Sequence, residues 1–188
     1  PLEETAEALD LLVRQGKALY IGISNYSGEQ TQAITNIFKE KGTPFVVHQA
    51  PYNMFQRDVE KDLFPVLESE KIGMVAFVPL AQGLLTNRYL NGIPEDSRAA
   101  RSDSPFLSPQ NVDQTISIVQ ELNEFALNRG QTLAQMAIAW ILNQQVVSSV
   151  IIGASRVSQL EDNLKTLDRL DFSLDEIKAI ETILNQKK

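Results

Sequence analysis

Residues 149–164, SVIIGASRVSQLEDNL, carry the side chains best placed to do chemistry. An apolar, mostly β-branched run of Val150, Ile151, Ile152 and Ala154 reads as a buried strand end. Gly153 lets the backbone approach a neighbour with no Cβ in the way. Ser155 is placed to cap a helix beginning near Val157, and Arg156 brings a guanidinium suited to bidentate phosphate contact. A helix N-terminus offers unpaired N–H groups and the positive end of its dipole. Strand, small-residue turn and helix together therefore make an anion site. Asp162 and Asn163 lie three and four residues beyond Gln159, a spacing that turns all three toward one ligand. The same pattern describes a capped helix with a solvated polar face, and only the rest of the chain can separate the two.

Three further polar groups, Ser24–Asn25, Gln49 and Gln82, each fall near the end of an apolar run. The runs at residues 18–23, 45–52 and 74–80, with the one ending at Ala154, read as four strands. Helical periodicity separates them, at residues 2–15, 29–41, 57–70 (interrupted near Pro65), 111–129 and 132–143, with a last helix capped by Ser173 and Glu176. Alternating strands and helices, with strands that are continuous apolar runs, mark an α/β fold with a parallel sheet covered by helices. In such sheets the ligand face is the C-terminal end of the strands, where these polar groups gather. Residues 86–110 collect Gly92, Pro94, Pro105 and Pro109 with mixed charges and little periodicity, as expected of a functional loop.

The 188 residues suffice for one sizeable core, read as a single domain over 1–188. A net charge of −7 argues against a nucleic-acid partner, and no apolar run is long enough for membrane insertion. With no cysteine there is no disulfide framework and no thiolate zinc site, which fits a cytoplasmic location, and no metal is expected. The chain opens on Pro1 directly into a helix, as if a segment upstream had been removed. A (β/α)8 TIM barrel needs about 250 residues, and this chain has half the strands.

The segments GKALYIGISNYS, HQAPYNMFQRDVE, FVPLAQGLLTNRYLNGIP and SVIIGASRVSQLEDNL, in this order and spacing, resemble the C-terminal half of an aldo-keto reductase. The resemblance covers essentially the whole chain and is greatest to the subgroup of bacterial glyceraldehyde-3-phosphate reductases and potassium-channel β subunits. It implies strands five to eight of a barrel that binds NADPH across the C-terminal strand ends and reduces small carbonyl substrates. By position, Ser24, Asn25 and Gln49 would hold the nicotinamide carboxamide and Phe77 would stack on its ring. Pro79, Leu80, Ala81 and Gln82 would lie beneath the pyrophosphate, with Arg88 and Arg98 on the loop covering it. Gly153, Ser155, Arg156, Gln159, Asp162 and Asn163 would form the 2′-phosphate and adenine site. Asp162 stands where the family usually has glutamate.

The family's catalytic tetrad of Asp, Tyr, Lys and His lies on the other half of the barrel, and no residue here matches it. His48 is the only histidine and reads as a satisfied core residue; Tyr20, Tyr26, Tyr52 and Tyr89 match no catalytic tyrosine. The implied function is an NADPH-dependent oxidoreductase, this chain supplying the cofactor-binding half and being inactive alone. The N-terminal half of the barrel is an expected partner, as is a homo-oligomer. The alternatives are a regulatory or binding module like the channel β subunits, an inactive truncated fragment, or a structural half-barrel without ligand.

Overall fold

Four strands pair in parallel in the order β1-β2-β3-β4: β1 (Ile21–Ser24), β2 (Phe45–Pro51), β3 (Gly73–Phe77) and β4 (Val147–Val150). The computed structural model describes residues 1–101 and 103–186. Helices α1 (Leu2–Arg14), α2 (Gly28–Lys41) and α3 (Val59–Glu70) precede the next strand in turn, and α4 (Pro109–Asn128) and α5 (Leu133–Leu142) precede β4. Helices α6 (Val157–Leu164) and α7 (Leu174–Leu184) follow it. The contacts divide the chain into two units. One comprises residues 1–52, 56–77 and 144–151, and the other residues 53–55, 78–143 and 152–188.

The first unit holds the whole sheet with α1 to α3. Ile21 and Ile23 of β1 pack with Ala6 of α1 and with Ile34 and Phe38 of α2. The strands alternate in burial: His48 and Ala50 of β2 and Met74 and Ala76 of β3 are buried, while Gln49, Val75 and Phe77 between them are only partly covered. This is the period-two signature of a sheet with one covered and one open face. Gly73 is required by close packing, since a Cβ there would come within 2.2 Å of the Ser148 hydroxyl.

Three strands differ from the sequence expectation. β1 begins at Ile21 rather than residue 18, because the N–H groups of Lys17 and Ala18 donate to the Leu12 carbonyl in a turn that extends α1. β3 ends at Phe77 rather than Leu80 because Val78 takes φ = 58°, a left-handed conformation that a β-branched residue rarely adopts. β4 begins three residues before its apolar run and ends at Val150, four residues before the run does. The Ile151 N–H still donates to the Ala76 carbonyl, but β3 stops one residue later, and no strand continues for residues 152–154 to pair with. Ile151 is therefore 46% exposed instead of buried. Helix α3 runs unbroken through Pro65, where an interruption was expected. The proline removes one donor, but on an exposed face of the helix, where water can stand in for it.

The second unit is built on α4, α5 and α7. Apolar almost all round, α5 buries Leu133, Met136 and Trp140, as the central helix of a core must. The expected caps are present: Thr132 with Gln135 on α5 and Ser173 with Glu176 on α7 each form a reciprocal capping box. α4 begins two residues early, at Pro109, because Ser108 caps it with Asn111 and proline suits the first helical position. The irregular stretch before it, whose residue 102 lies outside the described residues, is pinned by its own small core of Leu84, Tyr89, Ala99, Leu107 and Val112. Among the described residues no helix is long and apolar enough to cross a membrane.

Candidate functional site

In the first unit, Ser24 ends β1 and stands in register with Gln49 of β2. Asn25 follows with φ = 62°, a conformation asparagine tolerates better than most residues, and its N–H donates to the Gln49 carbonyl at 3.1 Å. Phe77 ends β3, in register with Pro51, two residues beyond Gln49 on β2. The alternation of burial puts Ser24, Gln49 and Phe77 on the open face of the sheet. An amide, a hydroxyl and an aromatic ring on one open face, with a second amide on the adjoining residue 25, suit a flat group that carries its own carboxamide.

In the second unit, the chain after β3 is strained. Val78, Ala81 and Gln82 all have positive φ (58°, 46° and 61°), conformations that cost roughly 1–3 kcal/mol each and gather at functional sites. The buried Asn53 clamps this turn, its side-chain N–H donating to the Val78 carbonyl at 3.0 Å. Pro79 is buried; Leu80 and Ala81 are half-buried and continue into a short 3₁₀ turn closed by Gly83. Arg98 donates to the Gln82 side-chain oxygen. Arg88 donates to the Asp96 carbonyl and pairs with its carboxylate, each at 3.1 Å. The irregular segment thus brings Arg98 to the strained turn and keeps Arg88 within the loop.

α6 differs from the sequence reading in three ways. Its N-cap residue is Arg156, not Ser155, and no side chain caps it. The Ser155 N–H and hydroxyl both donate instead to the Gln159 side-chain oxygen, at 2.9 and 3.0 Å. Gln159, Asp162 and Asn163 do not present one face to a ligand. Gln159 folds back on Ser155, Asn163 is buried, and Asp162 accepts from the Gln135 amide at 2.8 Å. The cause lies in the cap of α5, where the Gln135 oxygen is taken by the Thr132 N–H and its amide N–H group turns to Asp162. Arg156 is exposed; its carbonyl accepts from the Gln159 and Leu160 N–H groups, while its side chain makes no hydrogen bond or ion pair among the described residues. A Cβ on Gly153 would meet nothing within 4 Å, so the close approach expected there is not to another part of the chain.

Residues 1–185 match the model of the aldo/keto reductase family. The chain belongs to that family. It is 46% identical over 185 residues to the L-glyceraldehyde 3-phosphate reductase of Escherichia coli K12, an alignment covering 96% of this chain and 54% of that protein. It is 40% identical over 172 residues to a probable voltage-gated potassium channel subunit beta of Arabidopsis thaliana, covering 89% and 52%. Among solved structures it is similar to the glycerol dehydrogenase of Gluconobacter oxydans, with a TM-score of 0.82, 30% identity, and coverage of 100% of this chain and 55% of that one. The chain thus spans about half the length of the relatives it matches.

In this aldo/keto reductase chain His48 is fully buried but not satisfied, contrary to expectation, since neither ring nitrogen makes a hydrogen bond of ordinary geometry. Burial pushes its pKa down from 6.5 to about 4, opposed by smaller pulls from the Tyr26 backbone and the Asp62 charge. The unfolded ring takes up a proton as the pH falls below about 6.5, and the folded ring only near 4. Stability from this group is therefore fully present above pH 6.5 and lost as the pH falls toward 4, by about 3 kcal/mol in all. Urea unfolding at pH 7 and pH 4.5 should show this loss in the parent, and much less of it in His48→Asn. An equal loss in both would place the acid sensitivity elsewhere.

Beside the turn after β1 an open surface pocket of about 270 Å³ is bordered by Asn25, Tyr26, Ser27, Ala50 and Asp62 among others. Asp62 accepts the Gly28 N–H at 3.0 Å. No sequence signal ties these two residues, which are 34 positions apart; a carboxylate at a helix N-terminus is favourable, but its source cannot be read from a linear pattern. Among the described residues no group of three or more His, Cys, Asp or Glu could hold a metal ion.

Proposed function

We propose that this chain is the cofactor-binding half, strands five to eight of the barrel, of an NADPH-dependent aldo-keto reductase that converts small aldehydes or ketones to alcohols. The carrying observation is the strained turn after β3, with three positive-φ residues, a buried asparagine clamp and Arg98 bonded to Gln82. Strain of this kind persists where a site demands it. The residues fit a dinucleotide: two amides and a hydroxyl suit a carboxamide, the guanidinium groups suit phosphates, and Arg156 is an unpaired cation at an uncapped helix start. NADPH, when bound, supplies the hydride. Ser24, Asn25 and Gln49 hold the carboxamide and so select which ring face meets the substrate, while Phe77 offers a flat apolar wall. Pro79, Leu80, Ala81 and Gln82 form the floor under the pyrophosphate, Arg88 and Arg98 offset its charge, and Gly153, Ser155, Gln159, Asp162 and Asn163 shape the adenosine end around Arg156. The proton donor is assigned to the other half of the barrel.

The exposed apolar residues support a half that is completed by further chain. Val157, Leu160, Leu164 and Leu167 recur at helical spacing on and just after α6 with exposures from 42% to 73%, while the residue that α6 buries is Asn163. The edge strands β1 and β4 leave backbone groups free to pair. Residues 1–188 expressed alone should therefore self-associate or aggregate and show no aldehyde turnover, whereas the full-length protein should reduce small aldehydes with NADPH. Turnover by the isolated chain would defeat the assignment of the proton donor, and a monodisperse, cooperatively folding monomer would defeat the half-barrel reading.

Residues 86–110 serve, on this reading, as the covering loop. Its anchors Tyr89, Ala99 and Leu107 are buried, while Phe106 is exposed. Chymotrypsin should cut after Phe106 early, and NADPH should slow that cut in the full-length protein. Cleavage indifferent to NADPH would make the segment an ordinary surface loop. The identity to a channel β subunit supports a second reading, a module that binds a partner protein. Co-purification with a membrane protein, without aldehyde reduction, would favour it.

A further inference from the structure

We infer that Asn53 is a positioning residue for the cofactor site, holding Val78 so that residues 78–82 keep the shape that meets the pyrophosphate. The inference rests on the reading that Pro79, Leu80, Ala81 and Gln82 form the floor under that group. Val78 is poorly suited to where the chain puts it. Its φ of 58° is unfavourable for a β-branched side chain, and the following Pro79 adds a preference for extended backbone. Two hydrogen bonds meet on its carbonyl. The Ala81 N–H donates at 3.1 Å and closes the turn, while the Asn53 side-chain N–H donates at 3.0 Å from outside it. Asn53 is itself locked, because its side-chain oxygen accepts the Phe55 N–H at 2.9 Å. That bond fixes which end of the amide faces Val78, so a donor stands where the carbonyl needs one. Asn53 is 2% exposed, and it acts through Val78 rather than on a ligand.

Beyond Val78 the chain passes from φ = −100° at Leu80 to 46° and 61° at Ala81 and Gln82. The Gly83 and Leu85 N–H groups both donate to the Leu80 carbonyl, at 2.8 and 3.2 Å. The Leu80 and Gln82 N–H groups make no hydrogen bond among the described residues. A change from negative to positive φ gathers successive N–H groups into a concavity for an anion. Valine, alanine and glutamine all disfavour positive φ, so this shape depends on bonds from other parts of the chain. Asn53 supplies such a bond at the first strained residue, and Val78 is where its loss would be felt.

The test uses the full-length protein with NADPH, NADH and adenosine 2′-monophosphate, which carries no pyrophosphate. Asn53→Ala and Asn53→Leu should weaken NADPH and NADH alike by about tenfold, the scale on which one buried hydrogen bond acts, and leave the monophosphate unchanged. In a Val78→Gly background, where glycine reaches positive φ without a Cβ penalty, Asn53→Ala should add little further loss. The inference is overturned by a folded Asn53 variant that binds NADPH like the parent, by equal weakening of the monophosphate, or by losses that add in full to Val78→Gly. Failure of both Asn53 variants to fold would also overturn it, assigning Asn53 to folding alone. If the parent protein binds neither NADPH nor NADH, the proposed function fails; if it binds them and the folded Asn53 variants bind them equally well, only the Asn53 inference fails.

Discussion

Replacing Arg156 by alanine in the full-length protein should weaken NADPH binding by about tenfold or more and leave NADH nearly unchanged, since one charge-assisted contact typically contributes about 1.5–3 kcal/mol. Arg156 is an exposed cation with no partner of its own among the described residues, at the start of a helix that no side chain caps. Nothing among the described residues competes for its guanidinium, so its whole effect should fall on an anion brought by the ligand, and the 2′-phosphate is the anion that separates the two cofactors. Ser155 is differently placed, its hydroxyl already given to Gln159. Ser155→Ala should accordingly cost less than Arg156→Ala. Equal losses for NADPH and NADH on removing Arg156 would remove the 2′-phosphate from α6.

Arg129→Met should destabilise the fold by about 3–5 kcal/mol, the usual cost of removing one partner of a buried charge pair. The Arg129 side chain is 1% exposed. It donates to Glu176, to the Asp171 carbonyl and to the Gln131 side-chain oxygen, and stacks on Phe172 with its guanidinium carbon 3.7 Å from the ring centre. One side chain thereby ties the end of α4 to the start of α7. Glu176 is itself held ionised by the Ser173 backbone N–H and by Arg129, which keep its pKa below the ordinary value against the opposing effect of burial. Methionine keeps much of the volume but leaves this carboxylate half-partnered. A drop in the thermal or urea midpoint equivalent to less than about 1 kcal/mol would show the network to be dispensable.

What could be read from the sequence divides by range of interaction. Caps and helix ends are local, and Thr132, Ser173 and Glu176 behave as their spacing predicts. The parallel sheet follows from apolar runs separated by helices, but the open face carrying Ser24, Gln49 and Phe77 does not, because those runs read as continuous and only the observed burial alternates. The strand ends do not, because a neighbour decides them: Val78 turns β3 away, and the most apolar part of the β4 region is then left without a ladder, while Ser148 lies in the strand at an irregularity and Ser149 pairs with Val75. Pattern reading favours Ile151 and Ile152 over two serines, and pairing overrides it. The same limit applies to α6. Its spacing puts Gln159, Asp162 and Asn163 on one side, but the cap of the distant α5 claims Asp162. A lone histidine likewise looks alike in sequence whether its ring is partnered or not, and only the packing around His48 reveals the difference.

The central claim is that these residues bind NADPH in preference to NADH, and titration of the full-length protein with each, followed by the change in nicotinamide fluorescence, tests it most directly. The account predicts saturable binding of one NADPH per chain, displaced by NADP⁺, with NADH at least about tenfold weaker. No saturable binding, or equal affinity for the two, would contradict it.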